Sequence, residues 1–254
     1  DELFRGPETE LPVGVRLAIA KRGGVTVTRV EIAREGLARP RGRYVTLEMP
    51  SVSVLDERDT DVIETGAAEL RALLPPEGPV LVLGIGNRRV TADALGPRTA
   101  QKILVTMGPQ HTLPVRGIRP VAALAPGVSG DTGLTLRQLA AAMVDAVRPA
   151  ALICVDSLCS AEAARLGRTI QFSDTGLHPT DARHARHLDA AALGVPVIAA
   201  GIPTLMDADE GADLVLTPRA LDSVIAHGSA LLAGILNRAL QPRLSVAQLC
   251  WLTG

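Results

Sequence analysis

Two aspartates occupy positions from which an α/β protein could do chemistry. Asp93 follows the apolar run Val80-Leu81-Val82-Leu83 and the segment Gly84-Ile85-Gly86-Asn87-Arg88-Arg89-Val90-Thr91-Ala92, at the start of a helical stretch. Asp156 directly ends a second apolar run, Ala150-Ala151-Leu152-Ile153-Cys154-Val155. In open α/β sheets the site lies outside the carboxyl ends of the strands. If the two runs are neighbouring strands, the two carboxyls converge. Two carboxyls in one site cannot both ionise easily, so one is held protonated and the pair can serve a water molecule as acid and base. Structural roles compete with this reading. An aspartate at a helix start caps the helix, and an acid ending a buried strand can be satisfied by loop amides.

Other residue types point to weaker chemistry. Gly84-x-Gly86 could begin a dinucleotide fingerprint, but Arg89 stands where the third glycine belongs and no acid follows at the required distance. Ser129, Ser157 and Ser160 lack a nucleophile-elbow context. Phe172-Ser173-Asp174-Thr175-Gly176-Leu177-His178-Pro179 carries a single Asp-Thr-Gly triplet, for which a tight turn is the simpler role. His178 could touch a metal or the acid pair, or make a structural bond in a loop. His184 and His187 stand three apart beside Asp181 and Arg186, and read as a solvated helical face or, less simply, a metal site. Cys154, Cys159 and Cys250 show no metal-ligand spacing, and nothing in their number requires an oxidising compartment. Cys154, inside its apolar run, reads as an inert buried thiol.

The elements that must position these groups follow from hydrophobic pattern. Val25–Ile32 and Tyr44–Met49 alternate as half-exposed strands and predict an antiparallel hairpin, its loop at Arg34–Arg43 a solvated tip or subunit contact. Asp59–Leu74, Asp93–Val105, Thr132–Val147 and Pro218–Ala239 carry helical spacing, with a short helix at Ala161–Leu166. Val80–Leu83, Ala150–Val155 and Val195–Gly201 are continuous apolar runs, the signature of strands buried on both faces. Val115–Ala125 and Thr169–Phe172 are extended. The expected architecture is a single domain over 1–254, a three-layer α/β/α sandwich with a mostly parallel central sheet and an N-terminal β-hairpin. Its parts are an arm at 1–22, the hairpin at 23–50, the core at 51–240 and a tail at 241–254.

Composition narrows the classes. Hydrophobic residues are 47 % of 254, enough for a sizeable core, while 26 basic against 27 acidic residues leave a net charge of −1. No general field recruits nucleic acid or an anionic membrane. Aromatics at 2 % are too few for base-stacking platforms. No run of about 18 uninterrupted apolar residues occurs and no signal pattern opens the chain, so a soluble cytosolic protein is expected.

The blocks Gly23-Gly24-Val25-Thr26-Val27-Thr28, Gly84-Ile85-Gly86-Asn87 with Asp93-Ala94-Leu95-Gly96-Pro97, Ser173-Asp174-Thr175-Gly176-Leu177-His178-Pro179 and Gly194–Thr204 together resemble the germination protease family of spore-forming bacteria, in order over about residues 23–240. The resemblance implies an aspartic-type endopeptidase that degrades small acid-soluble spore proteins during germination, cutting after acidic residues, with Asp93 and Asp156 as the catalytic pair. Asn87, Arg88, Asp174 and His178 are the expected binding or supporting residues. It implies no cofactor, no direct nucleic-acid or membrane partner, a cytoplasmic location in the spore core, and a homotetramer made as a zymogen that loses an N-terminal propeptide, with Asp1 near the activation point or in a trimmed chain. The region between Thr204 and Leu216 is shorter than in many members, and Ser157-Leu158-Cys159 stands where members often carry Ala-Leu-Ala. A second resemblance, to hydrogenase maturation peptidases, opens an alternative in which Asp93, Asp156 and His178 bind a metal. A third reading is a non-catalytic binding module for small basic spore proteins.

Overall fold

Along Val80-Leu81-Val82-Leu83 the side chains alternate between two buried layers. Val80 and Val82 join a large apolar cluster with the helices at 60–73 and 221–240, and Leu81 and Leu83 join a second with Ala140 and Leu136 on the opposite face. Leu152 and Ile153 divide in the same way. A strand buried on both faces needs a helical layer on each side, and that requirement makes the sandwich three-layered.

The computed structural model describes residues 11–37, 39–108, 116–178, 187–207 and 215–253. In chain order the elements are β1 (Val15–Arg22), β2 (Val25–Ile32), β3 (Gly42–Glu48), α1 (Thr60–Leu73), β4 (Val80–Gly84), α2 (Leu95–Ala100), β5 (Val121–Leu124), α3 (Ser129–Thr132), α4 (Leu136–Val147), β6 (Ala151–Cys159), β7 (Thr169–Ser173), α5 (Ala190–Leu193), β8 (Val197–Asp207), β9 (Val215–Leu216), α6 (Leu221–Leu240) and α7 (Val246–Thr253). Among the described residues nine strands form one mixed sheet, ordered β1-β2-β3-β7-β8-β6-β4-β5, with β9 on β8. β5, β4, β6 and β8 are parallel. The N-terminal hairpin extends the same sheet through antiparallel pairs, β3 against β7 and β7 against β8.

Two expectations at the chain ends change. Residues 15–22, read as part of an arm, form β1 and pair with β2 along its whole length. The charge at Arg16, Lys21 and Arg22 that suggested a loop belongs to an edge strand, where basic side chains discourage further pairing. Residues 246–253, read as tail, form α7, with Val246 and Leu249 buried. The stretch expected to be helical over 93–105 is a 3₁₀ turn (Thr91–Asp93) followed by the short α2. Of the stretch expected to be extended over 115–125, the described residues hold β5, and Val115 lies outside the described residues.

Helix α6 is long and apolar enough to cross a bilayer, but 72 % of its most apolar window is buried inside the protein. It is the central helix of one layer, with Ile225, Leu231, Leu232, Ile235 and Leu236 all inaccessible. Arg29 on β2 and the buried Glu69 on α1 form a two-pronged ion pair that ties the hairpin to this layer. Such a fork is geometrically specific.

Candidate active site

Strand order decides where a site can form. From β4 the chain crosses by α2 to β5 on one side. From β6 it proceeds to β7 and β8 on the other. Adjacent parallel strands whose connections leave in opposite directions open a crevice at their carboxyl ends. Here that switch lies between β4 and β6, paired from Val80 with Ala151 to Gly84 with Val155. The Ile85 N–H donates to the Val155 carbonyl at 2.8 Å, closing the ladder. Asp156 is therefore the first residue of β6 beyond its pairing with β4, and Asp93 lies in the connection that leaves β4. Both acids lie at the carboxyl end of this strand pair, each partly buried.

Glycines let the connection fold this tightly. A Cβ on Gly96 would stand 2.2 Å from the Ile85 carbonyl oxygen and 2.3 Å from that of Val155, so α2 begins in direct contact with the ends of both strands. Gly86, at φ +122°, faces Asp93 so closely that a Cβ there would lie 2.8 Å from Asp93 Oδ1. Thr204 of β8, fully buried, donates from Oγ1 to the Ala92 carbonyl at 3.0 Å and fixes the turn from the other side.

The Asp93 carboxylate does not cap α2. Ala94 holds the cap position and no side chain bonds there. Instead Asp93 Oδ2 accepts from the Asn87 N–H at 2.7 Å. Asn87 Oδ1 in turn accepts from the Arg89 N–H at 2.9 Å. Arg88 is exposed, and Arg89 makes a loose ion pair with Asp131 at 3.6 Å. Asp156 Oδ1 accepts from the Ser157 N–H at 2.8 Å. It lies on the same face of β6 as Cys154. Burial, and after it the Asp156 carboxylate, pushes the Cys154 thiol far above its usual range, which keeps it an inert core residue. Ser157 points to the opposite face, its Oγ buried without a hydrogen-bond partner.

Asp174 and His178 are not placed with these groups in the way expected. β7 runs antiparallel to β8, pairing Gln171 with Gly201 and Ser173 with Ala199, while Asp156 pairs with Gly201. Asp174 thus lies about 10 Å back along the sheet and two strands across from Asp156. There it accepts from the Arg43 N–H and Nε, each at 2.7 Å, and joins β7 to the hairpin. The Asp-Thr-Gly triplet is a turn, with Gly176 at φ +83° against the Leu188 carbonyl. His178 shares Nε2 with the Thr175 carbonyl at 2.7 Å and Nδ1 with His187 Nδ1 at 3.2 Å. His184, Asp181 and Arg186 lie outside the described residues. Among the described residues no three His, Cys, Asp or Glu side chains are gathered to hold a metal, so the trio Asp93, Asp156 and His178 does not fit one.

Two clefts open elsewhere. One of about 440 Å³ lies between the β1–β2 turn and the start of α1, lined by Gly24, Met49, Arg58 and Asp61. A small one of about 50 Å³ separates α6 from α7. Neither is lined by Asp93 or Asp156. Sequence reading missed Gly96 and Thr204 as the residues that seat the Asp93 turn. The signal was present in an isolated glycine two residues inside a helix start, and in a threonine closing an apolar run.

Fold and crevice together define an α/β protein of the switch-point type, with two carboxyl groups where a nucleotide fingerprint or a serine nucleophile would otherwise stand. The model of the germination protease family matches residues 7–211. The germination protease of Clostridium perfringens (strain SM101 / Type A) is 32 % identical over 278 residues, covering 87 % of this chain and 86 % of the relative. That of Caldanaerobacter subterraneus subsp. tengcongensis is 40 % identical over 222 residues, covering 82 % and 67 %. Among solved structures, the [NiFe] hydrogenase maturation protease HycI from Thermococcus kodakarensis KOD1 aligns at TM-score 0.44 and 18 % identity, over 68 % of this chain and 98 % of that one. The chain belongs to the germination protease family, and so is a peptidase with a role in spores.

Proposed function

We propose that this chain is an endopeptidase that degrades small acid-soluble spore proteins, with Asp93 and Asp156 acting on a water molecule held between them. The observation that carries this reading is their placement on the two sides of the β4–β6 switch crevice. One carboxylate takes a proton as water attacks the peptide carbonyl. The other, protonated, supports the developing oxyanion and then donates to the leaving amine. The Asn87 amide NH₂ adds a donor at the rim. Arg88, exposed at the mouth, reads the acidic side chain before the cut through a charge-assisted bond. Oligomerisation as a tetramer and location in the spore core are part of the same proposal and rest on family resemblance.

The test is incubation of a purified small acid-soluble spore protein with the wild type, Asp93→Asn and Asp156→Asn. Loss of one member of an acid–base pair lowers the rate by about 10²–10⁴-fold, so both variants should leave the substrate intact over times in which the wild type consumes it. Variants cutting within a few-fold of wild type would remove the two aspartates from the mechanism. Binding without cleavage by the wild type would instead indicate a non-catalytic module.

A further inference from the structure

We infer that His178 and His187 form a binding site for a transition-metal dication of the Zn²⁺, Ni²⁺ or Cu²⁺ kind. The inference does not depend on the peptidase reading, because neither histidine has a part in the proposed hydrolysis.

The backbone sets the pair before any ion arrives. Leu177 and Leu188 exchange hydrogen bonds, N–H to carbonyl at 2.8 Å and 3.1 Å, in an isolated antiparallel bridge, and both side chains are buried. His178 and His187 are the next residues outward on the two sides of that bridge, which makes them cross-strand neighbours, the spacing at which side chains meet. The Asp174-Thr175-Gly176 turn supplies the second requirement. Its Thr175 carbonyl can only accept, so the His178 Nε2 at 2.7 Å carries the proton. With that proton on Nε2, the His178 Nδ1 carries a lone pair in the neutral tautomer and stands 3.2 Å from His187 Nδ1. A ligating histidine is oriented in this way, its other N–H fixed by a backbone carbonyl.

The spacing suits a shared ion. Two nitrogens each 2.0–2.1 Å from a tetrahedral metal stand roughly 3.3–3.4 Å apart. The rings meet edge to face, with centroids 5.4 Å apart and planes at 61°, so neither ring blocks the other. His187 is exposed and His178 half-buried, leaving room for water to complete the coordination. Imidazole donors suit Zn²⁺, Ni²⁺ and Cu²⁺ rather than Ca²⁺ or Mg²⁺.

The test is calorimetric titration of the full chain, freed of metal by chelator, with Cu²⁺, Ni²⁺, Zn²⁺ and Mg²⁺ salts. The expected result is saturable one-to-one binding, tightest for Cu²⁺ as the Irving–Williams order requires, and none for Mg²⁺. His178→Gln and His187→Gln should each weaken Cu²⁺ binding by about tenfold or more, with the metal-free variants still unfolding in one cooperative transition. His227→Gln should bind as wild type, because the His227 Nδ1 is engaged by the Leu55 carbonyl at 2.9 Å on a different element. Absence of saturable binding, or affinity preserved in either His178→Gln or His187→Gln, would overturn the site.

Discussion

Gly96→Ala separates two lines of physical reasoning that give opposite signs. By helix propensity alone, alanine is better than glycine by about 1 kcal/mol inside a helix. By packing, the added methyl at position 96 would stand 2.2 Å from the Ile85 carbonyl oxygen, 2.3 Å from the Val155 carbonyl oxygen and 2.6 Å from the Ile85 nitrogen. Close carbon–oxygen contacts in proteins stand at about 3.3–3.6 Å, so roughly 1 Å must be found. No flexible side chain can supply it, because all three atoms are backbone, and two of them form the last hydrogen bond between β4 and β6. Overpacking of this kind costs about 1–3 kcal/mol, and rigid backbone neighbours place Gly96 at the upper end. For a chain of this length each kcal/mol lowers Tm by about 2–4 °C, so a fall of about 6–12 °C is expected in thermal unfolding followed by circular dichroism. Gly130→Ala is the control. That glycine is also helical, has no atom within 4 Å of the added carbon, and should follow propensity with an unchanged or slightly raised Tm. Lifting α2 also lifts the turn that holds Asp93. A displacement near 1 Å costs about 10²-fold in rate, to be measured at a temperature where the variant is fully folded. A Gly96→Ala protein with wild-type Tm would refute the claim that α2 rests on the ends of the two strands.

Three further perturbations bear on single groups. Tyr44, the chain's one tyrosine, donates to the Pro40 carbonyl at 2.7 Å, and burial raises its pKa above the usual value. The folded state therefore holds the phenolic proton longer than the unfolded state. Its contribution to stability is complete below about pH 10 and is lost as pH rises through the folded value; denaturant unfolding across this range should show a decline that Tyr44→Phe removes, and a phenolate absorbance appearing at the ordinary tyrosine pH would contradict it. Ser157→Ala deletes a buried hydroxyl that has no partner, so stability should hold or rise by up to about 1 kcal/mol; a loss beyond that in urea unfolding would mean the hydroxyl is bonded. Arg88→Gln should erase the preference for an acidic residue before the cut, lowering kcat/KM by about 10-fold or more for a Glu peptide while leaving its Gln counterpart unchanged; an unaltered Glu-to-Gln ratio would exclude Arg88 as the reader.

Much of the parallel half was legible because burial on both faces leaves an unmistakable pattern. Val80–Leu83 and Ala150–Val155 have no polar residue, and nothing but a central strand of an α/β sheet accommodates such runs. The hairpin expected at 25–32 and 44–49 was legible by the opposite pattern, alternation, since one of its faces meets solvent. β1 was not, because Ala18 and Ala20 stand where polar residues would mark the second face between Leu17, Ile19 and Lys21, and at the sheet edge only Val15 of the strand is buried. α7 escaped for a related reason. Only Val246 and Leu249 of its eight residues are buried, too few to impose a helical period, while Trp251 is left exposed.

The site divides along the same line between local and non-local information. Asp93 and Asp156 stand out in the sequence because one lies in the glycine-bearing connection that leaves β4 and the other directly follows the apolar run of β6, and strand ends are where α/β proteins concentrate polar groups. That both lie at the ends of neighbouring strands depends on β6 lying against β4 with β5 on the far side, an order that no local pattern encodes. Asp174 shows what happens when strand direction is unknown. It also ends a strand, after Thr169-Ile170-Gln171-Phe172-Ser173, and by that criterion equals Asp156. Yet β7 is antiparallel to β8, so its carboxyl end lies at the amino end of the parallel strands, and the Asp174 carboxylate pairs with Arg43 beside the β2–β3 loop. An acid at a strand end is a candidate for chemistry only after the strand's direction is known, and here a single reversal separates a residue at the carboxyl end of the parallel strands from one that ties the hairpin to the sheet.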